Sequence, residues 1–235
     1  FAGISCDEVL HYGHSEAVYD FFASGGSDRS ALHTPDSHLK YYGQSYDNIV
    51  TFLAKWFSIN DIYSFRHLMS ALAGWLTILI TALFAVWLSG YRSGIFVILL
   101  FAVSPTFLGH AQNNLKDIPF ALGYIAGIFF SLRLLLSEGK IRYTDVIGVA
   151  VSIAFSVSIR AAGLLLVCYL FFFFAVSVLR NRMASGRLDY RAEGIRLALI
   201  ILVSVAAFML GIILWPYALQ SPVKNVAESF RLMAS

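Results

Sequence analysis

Acidic residues stand at the edges of the apolar segments of this chain, where a carboxylate can do chemistry. Asp7 and Glu8 are adjacent near the start, and Asp117 directly precedes the apolar run that begins at Ile118. A carboxylate in a partly dry pocket can accept a proton from a hydroxyl or an amine. An arginine or lysine beside it can bind a phosphate and neutralise its charge. These residue types suit the transfer of a group from a phosphate-linked donor to a nucleophile.

Basic residues lie close to the same boundaries. Arg66 stands just before one apolar run, Arg160 separates two others, and Lys116 adjoins Asp117. Ionisable groups near hydrocarbon cost roughly 2.5 to 3.5 kcal/mol on insertion scales, so they usually face a polar cavity or a partner. The predicted catalytic residues are therefore Asp7 and Asp117. The residues predicted to bind the donor or the acceptor are Glu8, Arg66, His110, Asn113, Lys116 and Arg160.

Several of these residues also have a purely structural interpretation. Adjacent acids are often a solvated pair at a helix start. Asp117 could cap a helix whose first turn contains Pro119, and Arg66 and Arg160 could be anchors at the membrane interface.

A metal site is a weaker interpretation of the opening segment. Glu8, His11 and His14 follow one another at steps of three residues. Such steps do not keep three ligands well on one helical face, and the sequence specifies no further ligand. We therefore predict neither a metal site nor a cofactor, and a divalent cation is compatible with the chemistry but not required.

The elements that must position these residues are membrane helices. Of the 235 residues, 58% are hydrophobic and 13% are charged, whereas soluble domains carry about 25% charged residues. A bilayer-spanning helix needs about 20 apolar residues. The sequence thus predicts an all-α polytopic membrane protein with about six spans. The predicted spans are 68–91, 94–109, 118–136, 145–159, 161–179 and 197–217.

Residues 1–66 differ in character from the rest. They hold 8 of the 14 acidic residues and 4 of the 17 basic ones. The apolar spacing in EVLHYGHSEAVYDFF and SYDNIVTFLAKWF predicts two amphipathic helices on a membrane surface. We expect 1–66 to be a long extracytoplasmic loop, 67–217 a transmembrane module, and 218–235 the start of a further extracytoplasmic loop. We also expect the chain to be a fragment that lacks a first helix and a C-terminal part.

The basic residues predict the orientation. Alternate loops hold nine arginines and lysines on one side and four on the other, which indicates that the richer side is cytoplasmic. The richer set is Arg92, Arg133, Lys140, Arg142, Arg180, Arg182, Arg187, Arg191 and Arg196. Residues 1–66 and Asp117 then face the exterior, and we expect a bacterial inner membrane with the site on the periplasmic side.

Several segments resemble one known family. GISCDEVLHYGHSEAVYDFF is similar to the first extracytoplasmic loop of the type-C glycosyltransferases of family 39, the protein O-mannosyltransferase and aminoarabinose-transferase group. FRHLMSALAGWL resembles the start of their second helix, and SPTFLGHAQNNLKDIPFALGYIAGIFF resembles their third helix, second outer loop and fourth helix. SIRAAGLLLV and WPYALQSPVKNVAESF resemble a short basic turn and the start of a later outer loop.

This resemblance implies an activity and assigns roles. The donor would be a polyprenyl-phosphate-linked sugar, the acceptor a protein, lipid or glycan, and the sugar carbon would be inverted, with no nucleic-acid partner. Asp7 would be the general base, Asp117 a second acid and Arg160 a phosphate ligand, with Glu8 and Arg66 supporting the loop or the donor. Two departures stand out: SIRAAG carries arginine where many members carry lysine, and AQNNLKD is unusually rich in amides.

Two other classes of protein fit the same composition. A proton-coupled secondary transporter could use Asp7 or Asp117 as a proton carrier, but it predicts inverted repeats and a midplane site, and no repeat stands out in the sequence. A non-catalytic membrane scaffold would dock a partner through its outer helices. That class predicts that the acids can be replaced without loss.

Overall fold

Helices form the regular structure of this protein. The computed structural model describes residues 3–4, 6–34, 37–136, 141–185 and 189–234. Within these ranges the α-helices are α1 (Cys6–Ala23), α2 (Ser45–Trp56), α3 (Ile62–Ser89), α4 (Tyr91–Ala102), α5 (Pro105–Asn113), α6 (Asp117–Leu136), α7 (Tyr143–Ile159), α8 (Leu165–Ser185), α9 (Tyr190–Gly211), α10 (Pro216–Gln220) and α11 (Pro222–Ala234). Short 3-10 turns lie at Ser30–Leu32, Leu39–Tyr41 and Ala161–Leu164. The predicted all-α class is confirmed.

Several helices are long and apolar enough to cross a bilayer. In the described ranges four qualify, and α4 with α5 makes a fifth if that pair counts as one span. The four are Ile62–Ser89, Asp117–Leu136, Ala161–Ala184 and Tyr190–Gly211. The predicted span 145–159 corresponds to α7, which has only 17 residues. A multi-pass membrane protein is therefore supported, while the count of six stays a prediction.

The predicted span 94–109 is broken in the middle. The axes of α4 and α5 differ by 74°. Pro105 opens α5, and the hydroxyl of Ser104 accepts a hydrogen bond from the backbone N–H of Phe107 at 3.4 Å. Proline has no N–H and disfavours helical geometry at the preceding residue. The helix therefore stops at Ala102 and a new one starts in another direction.

The hydrophobic core surrounds α7. Val149, Ile153 and Val157 on this helix are completely buried, against apolar side chains of α6, α8 and α9. Small residues allow close approach between membrane helices. Gly163 is one of them, because a Cβ there would lie 2.4 Å from backbone atoms of Ser156 and Val157.

Contacts between distant parts of the chain define two ends of the bundle. At one end the indole N–H of Trp215 donates to the carbonyl of Lys40 at 2.9 Å, and Arg160 donates to Asp117. We call this the loop end, and it contains residues 3–61, 113–117, 160 and 212–234 of the described chain.

The opposite end is rich in arginine, and we call it the arginine end. Arg133 pairs with the buried Asp145 at 3.1 Å, and Arg180 donates to the carbonyl of Leu136 at 3.1 Å. Arg142, Arg182, Arg191 and Arg196 belong to the same end by their position at the termini of α7, α8 and α9. Lys140 and Arg187, also expected there, lie outside the described residues.

The two helices predicted in the opening segment are present as α1 and α2. Both helices bury polar as well as apolar residues against the protein: α2 buries Asp47 and Asn48 together with Val50, and α1 buries Glu8 together with Val18. By contrast, Val9 on α1 and Trp56 on α2 are exposed. Contact with a membrane surface through those exposed residues stays a prediction.

Candidate functional site

A polar cavity of about 250 Å³ lies at the loop end. Its walls come from α1, from the starts of α2 and α3, and from the end of α5 with the following loop. Seven of the eight residues predicted from the sequence line it, and the eighth, Arg160, donates to one of its walls. The lining residues are Asp7, Glu8, His11, Asp47, Arg66, His110, Asn113, Asn114, Leu115, Lys116 and Asp117.

Asp7 is an exposed acid of this cavity. It lies in the first turn of α1, where the positive end of the helix dipole favours a negative charge. Among the described residues its carboxylate accepts no hydrogen bond and forms no ion pair. Its charge is close enough to raise the pKa values of Lys116 and His11, although other effects on those two groups are larger. Asp7 is thus free to receive a proton from a bound molecule.

Glu8 and Arg66 form part of a buried cluster behind Asp7. The Arg66 guanidinium, 1% exposed, donates both terminal nitrogens to the Asp47 carboxylate and lies 3.6 Å from Glu8 through Nε. Nε2 of His67 lies 3.2 Å from Glu8. This cluster joins α1, α2 and α3, so Glu8 and Arg66 hold the wall that carries Asp7. Sequence reasoning missed Asp47, which lies away from the predicted spans, and it passed over His67, although His67 directly precedes the predicted span 68–91.

Asp117 is held from two sides. Its carboxylate accepts a hydrogen bond from the amide of Asn114 at 2.9 Å and another from Arg160. The side-chain oxygen of Asn114 accepts from the backbone N–H groups of Lys116 and Asp117, at 3.1 Å and 2.7 Å. Asn114 therefore performs the capping that could have been assigned to Asp117. The Asp117 carboxylate instead orients Arg160.

Lys116 and Arg160 form the basic corner of the site. Nζ of Lys116 lies 4.9 Å from the ring centre of Tyr42, and Cζ of Arg160 lies 5.9 Å from the same ring. Arg160 also contacts the ring of Phe120, at 5.7 Å. Burial lowers the pKa of Lys116 and the charge of Arg160 lowers it further, while Asp117 and Asp7 oppose the shift. This corner can bind an anion.

The histidines of α1 favour the neutral form. Burial, then the charge of Lys116, lowers the pKa of His11, with Asp47 among the groups that oppose the shift. Burial lowers the pKa of His14 to about 4, with a smaller effect of His11. In the described part of the chain, no three His, Cys, Asp or Glu side chains are grouped so that they could hold a metal ion.

His110 and Asn113 lie at the end of α5, on the rim of the cavity. His110 is exposed, and its Nδ1 lies 3.3 Å from the amide nitrogen of Asn114. Asn113, half-buried, faces the cavity beside it. Both side chains can exchange hydrogen bonds with a polar ligand.

A second hollow, a groove of about 390 Å³, adjoins the cavity. The two share His110, Asn114 and Asp117. The groove continues between α5 and α6 past the apolar residues Phe107 and Ile118. A molecule with a polar head and an apolar tail could occupy both.

The fold and the site define a class: a helical membrane protein with a polar cavity of mixed charge at one end. No protein-family model matches the chain, and no curated protein and no solved structure matches it either. The function is therefore inferred from the chemistry of the cavity and from the sequence resemblance described above.

Proposed function

We propose that this protein is an integral membrane glycosyltransferase that uses a polyprenyl-phosphate-linked sugar as donor. The observation that carries the proposal is the composition of one cavity. It combines Asp7, whose carboxylate has no partner among the described residues, with Lys116 and Asp117, and Asp117 orients Arg160. A base and an anion-binding corner are the two parts that such a transfer needs. The resemblance to type-C glycosyltransferases of family 39 supports the same assignment.

The reaction follows from these positions. Asp7 accepts the proton of the acceptor hydroxyl or amine, and the acceptor atom forms a bond to the anomeric carbon with inversion. The bond between that carbon and the phosphate oxygen breaks, and its electron pair leaves with the polyprenyl phosphate. Lys116 and Arg160 stabilise the charge that develops on this leaving group. Asp7 then passes its proton to water, to which it is exposed.

The remaining predicted residues take supporting roles. Asp117 fixes the direction of Arg160, while Glu8 and Arg66 hold α1 so that Asp7 faces the cavity. His110 and Asn113 bind hydroxyl groups of the sugar or the acceptor. No step needs a metal, because the leaving group is a phosphomonoester, although a divalent cation would be compatible.

The groove between α5 and α6 supports the lipid part of the donor. It begins at Asp117, next to Lys116 and Arg160, which would bind the phosphate, and it passes Phe107, Ile118 and Ala121. Ligand pockets that hold lipids are lined mainly by apolar side chains. The prenyl chain would lie there, and the acceptor would approach the cavity from the side of Asp7.

The topology supports an extracytoplasmic site. If α4 with α5 and also α7 cross the bilayer, all connections alternate between the loop end and the arginine end, giving the six predicted spans. The arginine end then faces the cytoplasm by the positive-inside rule. The loop end faces the periplasm of a bacterial inner membrane, and the exposed Val9 and Trp56 contact its outer surface.

The test is the substitution Asp7→Asn. We expect kcat for transfer from a polyprenyl-phosphate sugar to fall by about 100-fold or more, because loss of a general base costs 10² to 10⁴ in rate. Transfer would be measured with labelled hexose, N-acetylhexosamine and pentose donors in lipid nanodiscs. Asp20→Asn is the matched control, since Asp20 is exposed on the same helix and does not line the cavity.

Two results would overturn the assignment. Turnover of Asp7→Asn equal to that of Asp20→Asn would remove Asp7 as the base. If the unaltered protein transfers sugar from none of the three donors, and instead moves protons or a solute across the membrane of a sealed vesicle, the transporter class would be favoured.

A further inference from the structure

Tyr42 lies under both cations of the basic corner, and no role has yet been assigned to it. Lys116 comes from the loop between α5 and α6, whereas Arg160 comes from the turn between α7 and α8. The ring of Tyr42 is close to both side chains, which lie 4.9 Å and 5.9 Å from its centre. Cations are attracted to the face of a phenol ring within about 6 Å. The ring of Tyr42 therefore lies where it can attract both the Lys116 ammonium and the Arg160 guanidinium.

Lys116 and Arg160 carry like charges, so another group must stabilise them when no anion is bound. The charge of Arg160 disfavours the charged form of Lys116, so the pair repels in the empty site. Asp117 relieves this repulsion at Arg160. For Lys116, no hydrogen bond or ion pair of its ammonium group is found within the described residues. The ring of Tyr42, 4.9 Å from Nζ, is the group that the ammonium contacts there.

The backbone beside Tyr42 is fixed on the end of α7. Gly43 packs so closely that a Cβ there would lie 2.0 Å from the carbonyl oxygen of Ser158. Gln44, with a positive φ of 48°, donates its backbone N–H to the carbonyl of Ile159 at 3.3 Å. This docking places Tyr42 immediately beside Arg160, the residue that follows Ile159.

A second set of contacts holds the same loop from the other side. The amide of Asn48 donates to the carbonyls of Gly43 and Leu214, at 3.0 Å and 3.2 Å. Tyr41 packs edge-on against Tyr217, with ring centres 5.1 Å apart. The backbone that carries Tyr42 is consequently held from both sides, which places its ring beside Lys116 and Arg160.

We propose that Tyr42 is a positioning residue for the phosphate group of the ligand, acting through the face of its ring on Lys116 and Arg160. The inference rests on the proposed function for the identity of the ligand, a polyprenyl phosphate. It requires the aromatic ring and not the hydroxyl. It also requires that Tyr42 affect phosphate binding by positioning the side chain of Lys116.

The experiment compares Tyr42→Leu with Tyr42→Phe in lipid nanodiscs. We expect Tyr42→Leu to weaken binding of polyprenyl monophosphate about tenfold, since two cation–π contacts are lost. Tyr42→Phe keeps the ring and should bind within about twofold of the unaltered protein. In the transfer assay, KM for the donor should rise in Tyr42→Leu while kcat changes by less than about threefold. Thermal unfolding of both variants checks the fold.

A double-mutant cycle separates positioning from a general loss of structure. If Tyr42 acts through Lys116, adding Tyr42→Leu to Lys116→Gln should weaken binding less than it does in the unaltered protein. Additive losses would overturn the proposal, as would equal losses in Tyr42→Phe and Tyr42→Leu, or unchanged binding in Tyr42→Leu. Failure of sugar transfer together with ring-dependent binding of polyprenyl monophosphate would overturn the proposed function and leave this inference standing.

Discussion

His14 shows at the residue scale how burial determines a charge state. Its side chain is buried on the inner face of α1, and its pKa is lowered to about 4. In the unfolded chain a histidine titrates near 6.5. Between these two values the unfolded chain binds a proton that the folded protein does not. The stability contributed by neutral His14 is therefore complete above pH 6.5 and is lost as the pH falls towards 4.

This behaviour gives a prediction for pH dependence. We expect the free energy of unfolding to be about 2 kcal/mol lower at pH 5.0 than at pH 7.5 because of His14. His14→Leu should reduce that difference, and His33→Leu, at an exposed position, should not. Denaturant unfolding in detergent at the two pH values measures the effect. An undiminished pH difference in His14→Leu would contradict the prediction.

The same scale shows which site residues a sequence can reveal. Asp117 and Arg160, which the structure brings together at the cavity, could be singled out because an ionisable residue beside an apolar run is costly and therefore informative. Asp7, which also lines the cavity, was singled out as one of two adjacent acids in the opening segment and by the family resemblance. Tyr42 and Asp47 were not, because their significance comes from partners distant in sequence. Asp47 meets a cation 19 residues away, and Tyr42 meets cations on two other elements.

At the scale of elements, Arg66 ties three helices together. It lies near the start of α3, pairs with Asp47 on α2 and approaches Glu8 on α1. Removing one partner of a buried ion pair leaves an uncompensated charge and costs about 3–5 kcal/mol. We expect Arg66→Met to lower the free energy of unfolding by an amount in this range.

The matched control for Arg66→Met is Lys55→Met. Lys55 on α2 pairs with Glu16 on α1 at 3.4 Å, so this pair joins two of the three helices that the Arg66 cluster joins. Both of its side chains, however, are more than a third exposed. Such exposed pairs contribute about 0–1 kcal/mol. Equal unfolding midpoints for the two variants would show that the buried cluster does not hold α1 in place.

Element boundaries were only partly predictable, for physical reasons. Counting apolar residues locates membrane helices but overlooks local breaks. Pro105 divides one predicted span, and the last predicted span, 197–217, is observed as α9 from Tyr190 to Gly211. The segment after α9 turns so that Trp215 can bond to Lys40. That bond joins parts of the chain 175 residues apart, which no local pattern can indicate.

At the scale of the whole molecule, composition and charge were sufficient for the class of protein. High apolar content predicted membrane helices, and the structure contains four to five that can span a bilayer. The grouping of basic residues predicted which connections share a side. In the described chain, contacts at the loop end join Trp215 to Lys40 and Arg160 to Asp117. The positive-inside rule places all four of these residues on the same side of the membrane.

The predicted orientation can be tested by cysteine labelling. Ser27→Cys lies at the loop end and Tyr143→Cys at the arginine end, and both positions are exposed. In a background with Cys6→Ser and Cys168→Ala, a membrane-impermeant maleimide should label only Ser27→Cys in intact bacterial spheroplasts. Tyr143→Cys should react only after the membrane is opened. Labelling with the opposite pattern would place the cavity in the cytoplasm.

The contacts between residues 40–48 and 214–217 have a consequence for biogenesis. Residues 40–48 leave the ribosome before α3 to α9, yet their partners Leu214, Trp215 and Tyr217 follow all the described long helices. The loop that carries Tyr42 can complete these contacts only after α9 has been inserted. A nascent chain arrested before that point would be membrane-integrated but would lack the contacts that hold the loop carrying Tyr42, which makes the assembly of this part of the cavity wall dependent on the synthesis of residues 214–217.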